Sequence, residues 1–272
     1  MSETRLSERR NLTRFSMAGR RDSIGLQDAP RQTVVVTDGM GHKKSYSTIG
    51  AALDSITDAS ESFQYVVNIG PGVYPEQVTL KSWAYMKGSL SGETIITSPA
   101  PTIQTSSPHT SLSTCSIQSK AMPGQTGALA AISVQGAPNT ALGELIVTFT
   151  NASNAINLEM TALAIDTIGS SSTCAVDDCN IQVSDDGGTT ATAVKVAHGA
   201  MLEMSTTLAI AIGKSASLQA VASTDHSAVE LDWCTVTATT YALYCDDSGA
   251  TMVAKDCKIH GPVSPNVKII NE

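Results

Sequence analysis

The chain has 272 residues, a net charge of −8, and only 4% aromatic and 15% charged residues. The acidity argues against nucleic acid as a partner of the body, and no apolar run approaches the roughly 18 residues that span a membrane. Six cysteines without a C-x-x-C pair make neither a disulfide scaffold nor a zinc site, and no cofactor motif is present.

Residues 1–32 hold few apolar side chains and no sustained period, so they read as a flexible arm preceding a domain over 33–272. The arm carries Arg5, Arg9, Arg10, Arg14, Arg20, Arg21 and Arg31 against four acids, a net of +3, which leaves −11 on the remainder. Opposite charges of this kind suit an arm that lies on the acidic body of a neighbouring copy. The first 30 residues lack the apolar stretch of a secretory signal, so the expected location is intracellular, a vacuole or another compartment included.

Strand signals begin at Val34-Val35-Val36. Ile49, Ala52, Leu53 and Ile56 then fall on one face of a helix near 47–57, with Ser47 available as its cap. Short β-branched runs follow near 65–69, 78–80 and 94–97, broken by Gly70-Pro71-Gly72. The proline- and serine-rich stretch 98–114 and the segment 118–127 are expected to leave the body as loops.

Beyond residue 115 the chain becomes periodic. Ala155–Ile165 is echoed by Ala200–Ile210, and a Cys-x-Ile or Cys-x-Val pattern recurs at Cys115, Cys179, Cys234 and Cys257. The anchors Ile181, Leu208, Val236 and Ile259 are spaced by 27, 28 and 23 residues. Such a period, built of short β-runs and turns, is the mark of a solenoid whose coils cannot bury their apolar faces alone. Val229, Leu231 and Cys234 are expected inside and Glu230 and Asp232 outside. The four patterned cysteines read as an interior ladder, since a free thiol behaves as a small hydrophobe. Residues 262–272 read as the far cap, with Val267, Ile269 and Ile270 closing the core.

The early part of the chain also resembles the pectinesterase family, whose members open with T-I-x-x-A-[IL] and continue into G-x-Y-x-E-x-V. The matching residues are Thr48, Ile49, Ala52 and Leu53, then Gly72 through Val78, including Tyr74 and Glu76. This resemblance implies an all-β, right-handed parallel β-helix of the pectin lyase-like superfamily with an N-terminal capping helix. It also implies two catalytic aspartates, an arginine and glutamines on the outside of one sheet. The corresponding Q-D-T-L, D-F-I-F-G and G-R-P-W-like runs are missing, and beyond residue 32 there is no arginine. The esterase chemistry therefore fails on its own motif.

Paired carboxylates can instead hydrolyse glycosidic bonds, and Asp177-Asp178, Asp185-Asp186 and Asp246-Asp247 are the candidates. Asp177-Asp178-Cys179 with His198-Gly199 resembles the D-D-C and G-H-G runs of polygalacturonases, without their N-T-D and R-I-K runs. An ordinary turn, a weak calcium site and catalysis by Asp177, Asp178 and His198 all stay open for these residues. His109, His198, His226 and His260 show no metal-ligand spacing with one another. Trp83, Tyr85, Trp233, Tyr241 and Tyr244 are too scattered to mark a sugar groove and read as partly buried packing. Cys174 and Cys245 fall outside the ladder, and either could bridge to another chain.

Two functions follow. One is a non-catalytic structural β-helix that assembles with copies of itself into homo-oligomers or larger ordered, even crystalline, arrays. The other is a carbohydrate-active or carbohydrate-binding β-helix for a pectin-like polysaccharide. The bare motifs and the basic arm favour the first.

Overall fold

Short β-branched runs separated by sharp corners gain a buried face only by stacking on copies of the same run. The computed structural model describes residues 34–151, 158–166, 172–186, 190–246 and 249–271. Its strands stack into three sheets of 11, 8 and 7 strands, called here sheets 1, 2 and 3. Within each sheet a strand pairs in parallel with the strands one coil before and one coil after. Leu208–Gly213, for example, lies between Asn180–Asp185 and Thr235–Thr237. The fold is a right-handed parallel β-helix. Among the described strands, antiparallel pairing is confined to Val34–Thr37, which lies between Lys43–Tyr46 and Tyr65–Ile69.

The core is a set of ladders running along the axis. One passes through Tyr74, Ile96, Ile117, Val147, Ile181, Ala209, Val236 and Ile259. Ala209 takes the place that the apolar spacing assigned to Leu208, which instead pairs with Asn180 on the outer row. A one-residue slip in a strand exchanges inside for outside, and an alanine in the ladder conceals the true register. The echo of Ala155–Ile165 in Ala200–Ile210 is likewise no structural repeat. The described part of the first copy, Leu158–Asp166, lies in sheet 3, while the second divides between Met201–Ser205 of sheet 1 and Leu208–Gly213 of sheet 2.

The corner from sheet 1 to sheet 2 repeats one backbone device. Thr114, Glu144, Asp178, Thr206, Trp233 and Asp256 each follow a sheet 1 strand, and each has a positive φ between 46° and 58°. The next residue on each coil is Cys115, Leu145, Cys179, Thr207, Cys234 or Cys257, and all but Cys257 are buried. Backbone bonds tie this corner rung to rung, from Asn180 N–H to Leu145, from Leu208 to Cys179 and from Lys258 to Cys234, at 2.8–2.9 Å. Trp233 departs from the packing expected of it. Its place on the outside of this corner leaves it 65% exposed.

The helix spans Ile49–Asp54 and buries Ile49, Ala52 and Leu53. Its cap is Thr48 rather than Ser47, with the Thr48 Oγ1 accepting from the Ala51 N–H at 3.1 Å. The expected loops are largely strand. Ile103–Thr105 and Thr110–Ser113 stay in the stack, and the second excursion shrinks to residues 121–126. Several serine and threonine hydroxyls here find partners within the stack, as Thr110 and Thr140 do with each other across adjacent coils at 3.3 Å, although the buried Ser119 Oγ has none, so polar composition does not expel the chain. At the far end Val263 and Val267 pack on the core, but Ile269 stays 45% exposed and does not close it.

Candidate functional site

Sheet 3 contains a bend that breaks the period-2 alternation. Ala131, Ala162, Ala193, Ala220 and Ala242 are fully buried, and so are the residues that follow them, Ile132, Leu163, Val194, Val221 and Leu243. Two consecutive inward side chains turn the strand at each coil, and the inside of the turn holds only a methyl group. The outer row of the sheet runs Thr79, Gln104, Ser133, Ala164, Lys195, Ala222 and Tyr244 in register.

A cleft of about 350 Å³ opens on this outer face, with Ser133, Gln135, Glu159, Thr161, Lys195 and His198 in its lining. It shares Pro101, Ser133 and Gln135 with a second hollow of about 250 Å³ lined by Thr79, Gln104, Thr105 and Ser106. Together they form one groove along the axis, in which polar side chains alternate with an apolar floor of Ala128, Leu129, Ala130 and Ala164. Lys195 and Glu159, on adjacent strands, form an ion pair within it. Past Ala222 the row ends on Tyr244, whose ring lies tilted against Tyr241 with centroids 5.3 Å apart.

At the rim, three titratable side chains from successive coils meet. His198 follows the strand Thr190–Ala197, Asp166 ends the strand one coil before, and Asp225 lies one coil after. His198 Nδ1 is 2.8 Å from Asp166 Oδ1, and Nε2 is 3.7 Å from Asp225 Oδ2. Both His198 and Asp225 adopt positive φ, 53° and 52°, a conformation in which His and Asp are enriched among non-glycine residues. The Gly199 N–H donates to the Asp225 carbonyl at 2.8 Å and fixes the two corners together. An imidazole held through one nitrogen by a carboxylate, with a second carboxylate facing the other, is equipped for proton transfer.

Of the acidic and histidine residues singled out from sequence, His198 lies at this rim and Asp246 beside it, while Asp177, Asp178 and Asp185 fall elsewhere. Asp177 ends the sheet 1 strand Thr173–Asp177, while His198 precedes the start of Met201–Ser205, and the register pairs Thr173 with Met201 and Asp177 with Ser205. Asp177 and Asp178 therefore lie at one end of these strands and His198 at the other, so the three do not assemble. Asp177 accepts from the hydroxyls of Ser205 and Thr206, both at 2.7 Å, and these bonds hold its carboxyl below the usual carboxylate range. Asp178 is a corner residue with φ 50°.

Asp185 is fully buried and accepts from Asn151 Nδ2 at 2.8 Å and from the Ser215 hydroxyl, the bonding of a structural anchor. Asp246 accepts from the Asp225 N–H at 3.4 Å, and Asp247 lies outside the described residues. No group of three or more His, Cys, Asp or Glu side chains among the described residues could hold a metal ion, so the calcium reading finds no site there. The arm arginines Arg5, Arg9, Arg10, Arg14, Arg20 and Arg21 also lie outside the described residues. Cys174 and Cys245 are buried, at 3% and 2% exposure, and burial pushes the Cys174 thiol up to about 12. A bridge from either to another chain would require opening the interior.

Asp166, Asp225, Glu159 and Lys195 carry no motif in the sequence. Their spacing does carry a signal: Asp166 lies 32 residues before His198, and Asp225 lies 27 after it, each close to one coil.

No protein-family model and no curated protein matches the sequence. Among solved structures, the pectin methylesterase from Aspergillus niger in deglycosylated form superposes with a TM-score of 0.51 at 14% identity, covering 84% of this chain and 82% of that one. The likeness is one of fold. Pectin methylesterases from Erwinia chrysanthemi and Yersinia enterocolitica give TM-scores of 0.44 and 0.41 at 12% and 11% identity, over 84% and 83% of this chain and 89% and 94% of theirs.

Proposed function

We propose that the protein binds a neutral, hydroxyl-rich carbohydrate polymer along the groove of sheet 3. The observation that carries this reading is the outward row Thr79, Gln104, Ser133, Ala164 and Lys195, polar at every rung but Ala164, along two hollows that share Pro101, Ser133 and Gln135. Four rung steps span about 19 Å at the spacing of paired strands, a length suited to an extended chain rather than a small molecule. Side-chain amides and hydroxyls of Gln104, Ser133, Gln135 and Thr161 match a polyol. Tyr244 and Tyr241 provide ring faces beyond one end.

Charge selects the class of polymer. Lys195 is paired with Glu159, and Asp166 and Asp225 add further negative charge to a body that is already acidic. A polyuronate would be repelled, whereas the same chain masked as methyl esters, or a neutral glycan, would not. The fold shared with a pectin methylesterase agrees with a pectin-like ligand in its esterified form. His198, between Asp166 and Asp225, supplies an acid–base group beside the bound chain. Self-assembly through a disulfide has less support, because Cys174 and Cys245 are both buried.

The test is calorimetric titration of the full chain with fully methyl-esterified pectin, polygalacturonate and a neutral glucan, repeated with Ser133→Trp. Binding of a neutral or esterified polymer, weakened at least about 10-fold when the indole fills the groove, supports the reading, that loss corresponding to roughly 1.4 kcal/mol. Binding that Ser133→Trp leaves unchanged, a preference for polygalacturonate, or no binding to any of the three overturns it.

A further inference from the structure

The corner ladder between sheets 1 and 2 alternates sulfur with other side chains until its last two rungs. Cys115, Leu145, Cys179, Thr207, Cys234 and Cys257 succeed one another, so Cys234 and Cys257 are the one pair of cysteines on adjacent rungs of this ladder. Their coils are in register, with Thr235 opposite Lys258 and Val236 opposite Ile259. Paired strands lie about 4.8 Å apart, inside the roughly 4.4–6.8 Å range of Cα separations that a disulfide accepts. Each sulfur also bonds a backbone carbonyl of its own coil, Cys234 Sγ that of Asp232 at 3.4 Å and Cys257 Sγ that of Lys255 at 3.2 Å, so both thiols sit at the same place on successive rungs.

Exposure separates this pair from the rest of the ladder. Cys234 is buried, and its Sγ also lies 3.3 Å from the Met204 carbonyl. Cys257 is partly exposed and belongs to the last coil, where Lys258–His260 is the terminal strand of sheet 2. No further rung covers it within that sheet. The neighbouring Cys234 thiol favours the Cys257 thiolate and lowers its pKa, against burial and the nearby charge of Asp232. Cys234 shifts upward, through the same neighbour and through burial. Burial also holds Cys115 and Cys179 high, at about 12 and 11. One accessible thiolate with a buried thiol beside it is the arrangement of an attacking and a resolving cysteine.

We propose that Cys257 and Cys234 form a peroxide-sensitive dithiol that closes into a disulfide across the last two rungs of the helix. The Cys257 thiolate attacks a hydroperoxide oxygen, breaking the O–O bond and forming a sulfenic acid, while the departing oxygen takes a proton and leaves as water or an alcohol. The Cys234 sulfur then attacks the Cys257 sulfur, the S–O bond breaks, and the Cys234 proton leaves with the hydroxide as water. Two thiols are oxidised and one peroxide is reduced. The product ties the terminal strand Lys258–His260 to Thr235–Thr237. The site lies on a different corner from the carbohydrate groove and does not depend on it.

The test begins with a limiting alkylating reagent at neutral pH on the folded, reduced full chain, followed by peptide mapping. Cys257 is expected to label at least about 10-fold faster than any other cysteine, because reactivity follows thiolate fraction and access. Stoichiometric hydrogen peroxide should then give an intramolecular Cys234–Cys257 bridge that a dithiol reductant reverses. Cys234→Ser should stop at the sulfenic acid, trapped by a cyclic 1,3-diketone, and Cys257→Ser should give neither product. Uniform labelling of the folded wild type, a bridge to another cysteine or chain, or the same oxidation in Cys257→Ser overturns the proposal. Labelling and oxidation of the wild type decide it even if a variant fails to fold.

Discussion

Glu76 reaches back 27 residues to accept the backbone N–H of Ile49 at 2.9 Å, and its second oxygen accepts that of Gly50 at 2.9 Å. A carboxylate that binds the free N–H groups at the start of a helix satisfies donors that no intrahelical partner can reach. Tyr74, two residues earlier, is fully buried and donates its hydroxyl to the Gly70 carbonyl at 3.0 Å. The stretch resembling pectinesterases is thus a device for seating the helix on the first coil. Its work here is structural and does not require the catalytic runs.

Replacing Glu76 by alanine should lower stability by about 1–3 kcal/mol, the range for a lost hydrogen bond to a charged group. Glu76→Gln, which keeps one acceptor oxygen, should lose less. Urea unfolding of the three proteins checks this, and equal midpoints would show that the helix start needs no carboxylate.

The alanine bend of sheet 3 should not tolerate volume. Ala193 is fully buried between Ala162 and Ala220, so Ala193→Leu should cost about 1–3 kcal/mol by overpacking. Ala175→Leu, at an exposed position of sheet 1, should change thermal stability little. Matching losses at the two sites would mean that the bend is not tightly packed.

Gly213 has φ 136°, and a Cβ placed there would lie 1.9 Å from the carbonyl oxygen of Asp185. Gly213→Ala must move the backbone around the buried Asp185, so a loss above about 1 kcal/mol is expected. Gly92, whose added Cβ would meet open space, is the control. Calorimetric melting of both variants decides the matter.

Asp177 gives a pH dependence of known sign. The hydroxyls of Ser205 and Thr206 depress its folded-state value below the ordinary 3.8, so its contribution is present above that value and disappears as pH falls through the lower folded one. Asp177→Asn should flatten this part of the acid limb of stability against pH. An unchanged limb would show that the two hydroxyl bonds do not favour the ionised form.

Much of the architecture is legible before any coordinates. The inward places of Val229 and Leu231 follow from alternation, whereas Cys234 is turned inward by the positive-φ corner at Trp233; the corner cysteines recur one or two coils apart because the same corner place repeats on each coil. Register is less legible. Leu208 looks like a core anchor, yet Ala209 occupies the ladder, since either residue suits a strand and only the neighbouring coil chooses between them. The candidate site is half legible: its glycine neighbour marks His198, but the motif places its partners at Asp177 and Asp178, whereas they lie one coil away at Asp166 and Asp225.

What the sequence determined by itself is local: where the chain runs extended, where it must turn, and that its coils repeat. Those properties depend on backbone sterics and on the alternation of side chains within a few residues. The meeting of Asp166, His198 and Asp225, the groove over the alanine bend and the placing of Cys234 and Cys257 on adjacent rungs were decided by tertiary structure alone. Each joins residues more than 20 positions apart, and their distance is set by how many residues each coil spends at its corners, a count that no local pattern carries.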